Sequence, residues 1–106
     1  MTSPTNLYRP KGRIDATNAA AAESEVLASL ERAGPSVVID LSQVAYLSSA
    51  GLRVLLVAAK SARGRGGKAV VVAPQTAVLE VLKMSGFDKI IPISVSVEAA
   101  TQLLSA

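Results

Sequence analysis

Short β-branched runs alternate with longer helical segments along this chain, and that order limits the folds available to it. Val37–Ile39 and Ala69–Val72 are short, continuous apolar runs, which is typical of strands buried on both faces of a sheet. A segment with helical spacing of its apolar residues follows each of them, from about Ser49 to Ala62 and again before Gly86. Strands that alternate with helices in this way form parallel sheets with right-handed crossovers. We therefore predict an α/β fold with a mostly parallel sheet of about four to five strands and about four helices.

Weaker elements towards the two ends of the chain complete the prediction. Leu7–Ile14 and Ile90–Val95 are predicted to be strands near the sheet edges, because each contains a proline that cannot donate to a central ladder. The first helix is predicted from the spacing of apolar residues between Ala19 and Ala33. Pro74 is placed in the first turn of the third helix, and Ser96 is predicted to cap the fourth.

The absence of cysteine and histidine from the 106 residues excludes several kinds of chemistry. Disulfides, thiol nucleophiles, Ser-His-Asp triads and zinc sites built on these residues all require them. A chain of this length forms one domain at most, which we assign to residues 1–106 with residues 1–6 loose. No apolar run is long enough to span a membrane, and the first residues lack the apolar segment of a secretory signal. We therefore expect a cytoplasmic protein without membrane insertion.

The basic residues gather in two clusters, and the formal net charge is +3. The first cluster consists of Arg9, Lys11 and Arg13, and the second of Lys60, Arg63, Arg65 and Lys68. Such clusters can bind nucleic acid, but only 3% of the residues are aromatic, which leaves few rings for stacking on bases. We interpret both clusters as solvated surface and expect no nucleic-acid partner.

Two serines and a glycine lie at the junction between a predicted strand and the second helix. Ser49 stands where a nucleophile elbow would stand, but Leu47 replaces a required glycine and no histidine base exists. Ser49 is instead interpreted as the helix cap, its side-chain oxygen accepting the amide of Gly51 or Leu52, which contributes about 1 kcal/mol. A glycine in a first helical turn costs up to about 1 kcal/mol relative to alanine. Gly51 must therefore allow either close packing or the close approach of another molecule.

The same helix end is also suited to a phosphorylated serine. Negative charge is favoured at a helix N-terminus, and Arg53 lies one turn beyond Ser49. A phosphate would add about −1.5 to −2 charges at that surface. The fold could tolerate this modification, but the added charge and bulk would affect a protein docked on the same surface.

The residues around this junction resemble the signature of a known family. The stretch VVIDLSQVAYLSSAGLRVLL is similar to the signature of STAS domains, in particular bacterial anti-sigma factor antagonists. GRID at residues 12–15, GGKAVVVAP and VLEVLKMSGFDKIIPI resemble further segments of that family in the same order. The resemblance runs from about residue 12 to residue 95 and implies a STAS-like βα superhelix.

This resemblance implies a role for the serine that opens the second helix. In that family, the serine after a motif aspartate is phosphorylated by a partner protein serine kinase that is also the anti-sigma factor. Alignment on Gly51 and Leu52 puts Ser49 at this position. The implied mechanism is a partner switch, in which the unmodified domain binds a kinase of the histidine-kinase-like ATPase fold, phosphorylation of Ser49 weakens the complex, and a serine phosphatase resets it. The domain would be a monomeric ligand rather than an enzyme, without a cofactor of its own, since ATP belongs to the partner.

Three positions depart from the family pattern. Ser48 replaces the family's aspartate, Ala50 its second hydroxyl residue, and Arg53 its last glycine. The loss of the aspartate could alter the efficiency of phosphorylation, and Arg53 could bind the phosphate or contact the partner. The partner-binding residues that the resemblance implies are Asp15, Ser48, Ser49, Ala50, Gly51, Leu52 and Arg53.

Three alternative functions remain open at this point. A STAS subunit of a phospholipid-transport complex would dock on an ATPase through the same helix without phosphorylation, although the motif centred on Ser49 fits it less well. A small-molecule enzyme on a flavodoxin-like sheet is the second alternative, and the absence of histidine and cysteine weighs against it. Nucleic-acid binding is the third.

Overall fold

The computed structural model describes residues 6–105, and within that range strands alternate with helices. The strands are β1 (Leu7–Tyr8), β2 (Gly12–Ile14), β3 (Val37–Asp40), β4 (Val44–Leu47), β5 (Ala69–Val72) and β6 (Ile93–Ser94). The helices are α1 (Ala19–Ala33), α2 (Ser49–Gly64), α3 (Thr76–Met84) and α4 (Val97–Ser105), with a 3₁₀ turn at Phe87–Lys89. Of the segment predicted to be loose, residues 1–5 lie outside the described range. The side-chain amide of Asn6 donates hydrogen bonds to the carbonyls of Ser29 (3.2 Å) and Ser36 (3.1 Å).

Four strands form one parallel sheet in the order β1-β3-β5-β6, and β2 pairs with β4 in a separate parallel ladder. β3 and β5 lie at the centre and are buried at every residue, as their β-branched runs predicted. Parallel neighbours require a crossover connection, which the helices between successive strands of the main sheet supply. The prediction of an α/β fold with a mostly parallel sheet and about four helices is confirmed.

Alternate residues of the central strands belong to two apolar clusters, one on each face of the sheet. On β3, Val37 and Ile39 belong to the main cluster with residues of α1 and α2, whereas Val38 belongs to a smaller cluster with Ala100 of α4. The sheet is therefore covered on both sides, which explains why its central strands show no polar alternation. Among the helices that the structure describes, none is long and apolar enough to cross a membrane.

Residues 7–14 form two strands rather than the single edge strand that we predicted. β1 pairs with β3 at the margin of the main sheet, and β2 pairs with β4 in the other ladder. Pro10 lies between the two strands, and Gly12 adopts φ +74°, a left-handed conformation that redirects the chain. The chain thus changes partner within a segment that the sequence pattern treats as continuous, and the prediction was wrong for this reason.

Pro74 precedes α3 instead of lying in its first turn. The helix begins at Thr76 with Gln75 as the N-cap residue, so our placement of Pro74 was wrong. Ala73 directly follows β5 with φ +51°, an uncommon conformation for a residue with a Cβ, and its amide donates to the carbonyl of Ser94 at 3.0 Å. Ala73 and Pro74 therefore belong to the turn between β5 and α3, and the helix begins two residues after Pro74.

The last strand and the last helix follow the prediction more closely. β6 lies at the edge of the sheet, as the proline before it led us to expect, but it is confined to Ile93–Ser94. The 3₁₀ turn Phe87–Lys89 buries Phe87 and ends with Ile90 as its C-cap, and the strand begins only at Ile93. The predicted cap of α4 is confirmed, because Ser96 Oγ accepts a hydrogen bond from the amide of Ala99 at 3.1 Å.

A buried carboxylate lies at the end of β3. Asp40 Oδ1 accepts a hydrogen bond from the amide of Ser42 at 2.8 Å, and Oδ2 accepts one from Arg9 Nε at 2.8 Å. The Asp40 side chain is 8% exposed and that of Arg9 is 46% exposed. Burial by itself would raise the pKa of Asp40, but the hydrogen bonds from Ser42 and the charge of Arg9 outweigh it and hold that pKa below its usual range. The carboxylate at the end of β3 therefore holds both the residue after β1 and the turn after β3.

We expect Arg9→Gln to lower the free energy of unfolding at neutral pH by about 1–2 kcal/mol, because a buried carboxylate loses a half-exposed counter-charge. Since the folded pKa of Asp40 is lowered, the stability it contributes is present above the unfolded pKa and is lost as the pH falls through the folded pKa. The difference between variant and wild type should therefore shrink on acidification. Urea unfolding at about pH 7 and about pH 3 measures both effects.

Arg65→Gln is the matched control for this substitution. Arg65 lies 3.6 Å from the carboxylate of Glu31, which is 72% exposed, so its removal should cost no more than about 0.5 kcal/mol. Equal losses in the two variants would contradict a special contribution from the buried pair.

Candidate functional site

The N-terminus of α2 is fixed by the ends of two neighbouring strands. In the β2–β4 ladder Ile14 is opposite Leu47, and the chain passes from Leu47 through Ser48 directly into the helix. The amide of Ser48 donates to the carbonyl of Ile14 at 3.0 Å, so the ladder continues to the residue before the helix. The start of α2 is therefore set by tertiary pairing as well as by its own sequence.

Ser48, and not Ser49, caps α2. Ser48 has an extended backbone (φ −85°, ψ 178°), and its Oγ accepts a hydrogen bond from the amide of Gly51 at 3.3 Å. The first helical bond runs from the amide of Leu52 to the carbonyl of Ser48 at 2.9 Å. Our interpretation of Ser49 as the cap was wrong by one residue, because the strand pairing holds Ser48 in the extended conformation that a cap requires.

Gly51 is buried where α2 contacts the two strand ends. A Cβ at this position would lie 2.6 Å from Cδ1 of Leu47 and 2.8 Å from the carbonyl oxygen of Ile14. Contacts of this kind are shorter than carbon atoms tolerate, so only glycine fits the present backbone. Of the two explanations that the sequence left open, close packing within the domain accounts for Gly51.

The remaining residues of the first turn form an outer face. Ser49 and Arg53 are exposed, and Ala50 and Leu52 are partly exposed. Positions four residues apart lie on the same side of a helix, so Ser49 and Arg53 are neighbours on that face. Among residues 6–105 the structure gives Arg53 no ion pair. The first amides of a helix have no hydrogen-bond acceptor within the helix. At this end, the side chain of Ser48 accepts only the amide of Gly51.

Asp15 lies beside this helix end, directly after Ile14. Its Oδ1 accepts hydrogen bonds from the amide and the hydroxyl of Thr17, at 2.9 and 2.5 Å. Its Oδ2 lies 3.5 Å from Nε of Arg13. The hydrogen bonds from Thr17, followed by the contact with Arg13, lower the pKa of Asp15, which favours its charged form. The charged carboxylate thus belongs to the residue that directly follows Ile14, whose carbonyl accepts the amide of Ser48.

An arginine–tyrosine pair that we did not predict lies on the ladder leading to this site. The guanidinium carbon of Arg13 lies 4.5 Å from the ring centroid of Tyr46, whose side chain is 45% exposed. The two residues are opposite each other in the β2–β4 register. No local sequence pattern joins them, because their contact depends on which strands pair. The structure therefore brings the predicted residues together at one end of α2 and adds this cation–π pair to their surroundings.

Comparisons with known proteins agree with this architecture. The family model described as the STAS domain matches residues 2–100. BtrV of Bordetella bronchiseptica, whose name places it among anti-sigma factor antagonists, is 40% identical over 90 residues, which cover 85% of this chain and 78% of that protein. An anti-sigma factor antagonist from Mycobacterium paratuberculosis has a crystal structure that is 28% identical, with a TM-score of 0.84 over 94% of this chain and 85% of that chain.

The anti-sigma factor antagonist SpoIIAA has the same fold in two chemical states. Its unphosphorylated form is 15% identical, with a TM-score of 0.77 over 94% of this chain and 88% of that chain. Its phosphorylated form, described as a Bacillus cell fate determinant, is 14% identical, with a TM-score of 0.68 over 92% of this chain and 88% of that chain. At these identities the similarity establishes the fold.

The position of the cap leads to a stability prediction for the two serines. Ser48→Ala should lower the free energy of unfolding by about 1 kcal/mol, because the amide of Gly51 loses its acceptor. Ser49→Ala, the same change one residue later, should leave stability within about 0.5 kcal/mol, because Ser49 is exposed. Urea unfolding of both variants measures the difference, and a larger loss for Ser49→Ala would refute the assignment of the cap.

Two glycines of the same helix should respond to alanine with opposite signs. Gly51→Ala should cost about 1–3 kcal/mol, because the added methyl group overlaps the carbonyl of Ile14 and the side chain of Leu47. Gly64→Ala, at the other end of α2, meets no atom within 4 Å and should gain up to about 1 kcal/mol of helix propensity. Thermal or urea unfolding provides the measurement, and a Gly51→Ala variant as stable as wild type would disprove the close contact.

Proposed function

The chain belongs to the STAS domain family, and we propose that it acts as an anti-sigma factor antagonist controlled by phosphorylation of Ser49. The proposed partner is a protein serine kinase of the histidine-kinase-like ATPase fold that is also the anti-sigma factor. The observation that carries the proposal is the exposed hydroxyl of Ser49 in the first turn of α2, beside a serine whose own hydroxyl is engaged as the cap.

The different environments of the two serine side chains support Ser49 as the modified residue. Ser48 is partly buried and its Oγ already accepts the amide of Gly51, so this hydroxyl is less accessible to a kinase. Ser49 is exposed, and its modification leaves that bond in place. The hydrogen bond at the cap therefore supports Ser49, rather than Ser48, as the proposed site of phosphorylation.

The proposed modification is a phosphoryl transfer in which this chain is the substrate. Oγ of Ser49 attacks the γ-phosphorus of ATP bound to the partner, and an Oγ–P bond forms. The bond from that phosphorus to the β–γ bridging oxygen breaks, ADP leaves, and the hydroxyl proton passes to a base of the partner. The catalytic groups and the nucleotide belong to the kinase, which agrees with the regulatory character of the antagonists that this chain resembles.

Phosphorylation is proposed to alter docking without unfolding the domain. The phosphate carries about −1.5 to −2 charges and would lie at a helix N-terminus, where negative charge is favoured. Arg53, one turn along the same face, is a second favourable neighbour. A partner packed on this face would instead have to accommodate or desolvate the added charge and bulk, which weakens the complex.

The proposed docking surface surrounds Ser49 and includes the residues implied by the family resemblance. Asp15 and Arg53 contribute opposite charges to it, and Ala50 and Leu52, which are partly exposed, contribute apolar area. Gly51 contributes by allowing the helix to lie against Ile14, since its own position is buried. A serine phosphatase that hydrolyses the phosphoserine would return the domain to its binding state.

The proposal predicts which serine is modified. Incubation with the kinase–anti-sigma partner and ATP, followed by mass spectrometry, should place one phosphate on Ser49 in the wild type and in Ser48→Ala, and none in Ser49→Ala. Modification of Ser48 instead, or persistence of the phosphate in Ser49→Ala, would contradict the proposal.

The same prediction extends to binding. Ser49→Asp should bind the partner at least about tenfold more weakly than Ser49→Ala in calorimetric titration, because a carboxylate places negative charge at the docking surface. Both variants should unfold within about 1 kcal/mol of wild type, since Asp at a helix N-terminus is favourable. Equal affinities of the two folded variants for the partner would refute control through charge at this position.

A further inference from the structure

A groove at the other end of α2 has features that the proposed function does not use. It has a volume of about 390 Å³ and lies between the last turns of α2, the start of β5 and the segment before β6. This volume is within the range of small-molecule sites. With a rise of about 1.5 Å per helical residue, Arg63 in the groove is about 20 Å along α2 from Ser49. The groove is therefore separate from the proposed docking surface.

The floor of the groove is apolar. Ala59 of α2, Ala69 of β5 and Ile91 are all buried there, with exposures of 8%, 5% and 1%. The two alanines leave space that larger side chains would fill. Ile90, which is 47% exposed, lies at the open side and extends the apolar surface towards solvent. A ligand in the groove would thus contact hydrocarbon along one side.

The rim of the groove is positively charged. Arg63 and Lys68 line it and are exposed, and neither forms an ion pair within residues 6–105. Within the part of the chain that the structure describes, no acidic side chain lines the groove. Arg65, from the same basic cluster of the sequence, is engaged differently, because its guanidinium lies 3.6 Å from Glu31. Of the four residues in this cluster, Arg65 is paired, Arg63 and Lys68 line the groove, and Lys60 lies outside its lining.

Helix stability explains only one of these two cations. Arg63 is in the last turn of α2, where positive charge is favoured by the helix dipole. Lys68 lies beyond the helix, after the glycine turn and directly before β5, so the dipole gives no reason for its charge. Among the described residues, no aromatic ring lines the groove, so the stacking platform that single-stranded nucleic acid uses is not found there. The combination of two free cations with an apolar floor fits an amphiphilic anion better.

We infer that this groove binds small amphiphilic anions, with a carboxylate between Arg63 and Lys68 and a short hydrocarbon body over Ala59 and Ile91. The positive rim fixes the anionic end, and burial of the hydrocarbon on the floor supplies the remaining affinity. This site goes beyond the proposed partner switch and does not depend on it.

Titration of the isotope-labelled protein with octanoate, followed by amide chemical shifts, tests the inference. Octanoate should give saturable shifts at the amides of Lys68, Ala69 and Ile91, with a dissociation constant on the order of 1 mM. Acetate lacks the hydrocarbon body and octanol lacks the charge, so each should bind at least about fivefold more weakly. Equal responses to octanol and octanoate, or shifts spread over the whole surface, would overturn the inference.

Charge variants distinguish the groove from general electrostatic attraction. Arg63→Gln/Lys68→Gln should weaken octanoate binding by about five- to tenfold. The control Lys60→Gln/Lys83→Gln removes the same net charge from exposed positions outside the groove lining and should change affinity less than about twofold. Equal effects of the two double variants would contradict the site. So would binding of a short oligonucleotide or of anionic vesicles through Arg63 and Lys68 without any response to octanoate.

Discussion

The contact between α2 and the strand ends at Gly51 is the constraint on which the candidate site depends. Because position 51 has no side chain, the first turn of the helix lies against the carbonyl of Ile14 and the side chain of Leu47. That approach brings the amide of Ser48 to the same carbonyl of Ile14 and leaves Ser48 extended at the helix start. Ser49 then becomes the first exposed hydroxyl of the helix. The accessibility of one serine is in this sense a product of how closely a helix packs on two strands.

Much of the fold could be predicted from local sequence because its central elements are strongly patterned. The runs at β3 and β5 are continuous and β-branched, which suits only strands covered on both faces, and both are buried throughout. The failures occurred where the backbone depends on distant partners. Residues 7–14 divide between two ladders, and Ala73 turns the chain so that Pro74 falls before α3. Neither the change of strand partner nor the turn at Ala73 can be predicted from a window of neighbouring residues.

The candidate site shows the same limit at the level of single side chains. Its location at the start of α2 followed from the serines and the glycine, but the cap fell on Ser48 because the β2–β4 ladder reaches that residue. The pairs Arg13–Tyr46 and Arg9–Asp40 join residues more than thirty positions apart in the sequence. Their contacts depend on strand register, which is set by the whole sheet. Composition could indicate that charges were present but not which of them would meet.

The margins of the main sheet bear on how this domain can associate with other molecules. The outer strands β1 and β6 are each two residues long as described, so the unpaired backbone that they present is short. A long, open sheet edge can pair with a strand of another molecule, as in amyloid or domain-swapped assemblies. A short edge offers few unpaired backbone groups for such pairing. Association through side chains on a helix face avoids that hazard, and it permits contacts that form and dissolve repeatedly without the backbone exchanging neighbours.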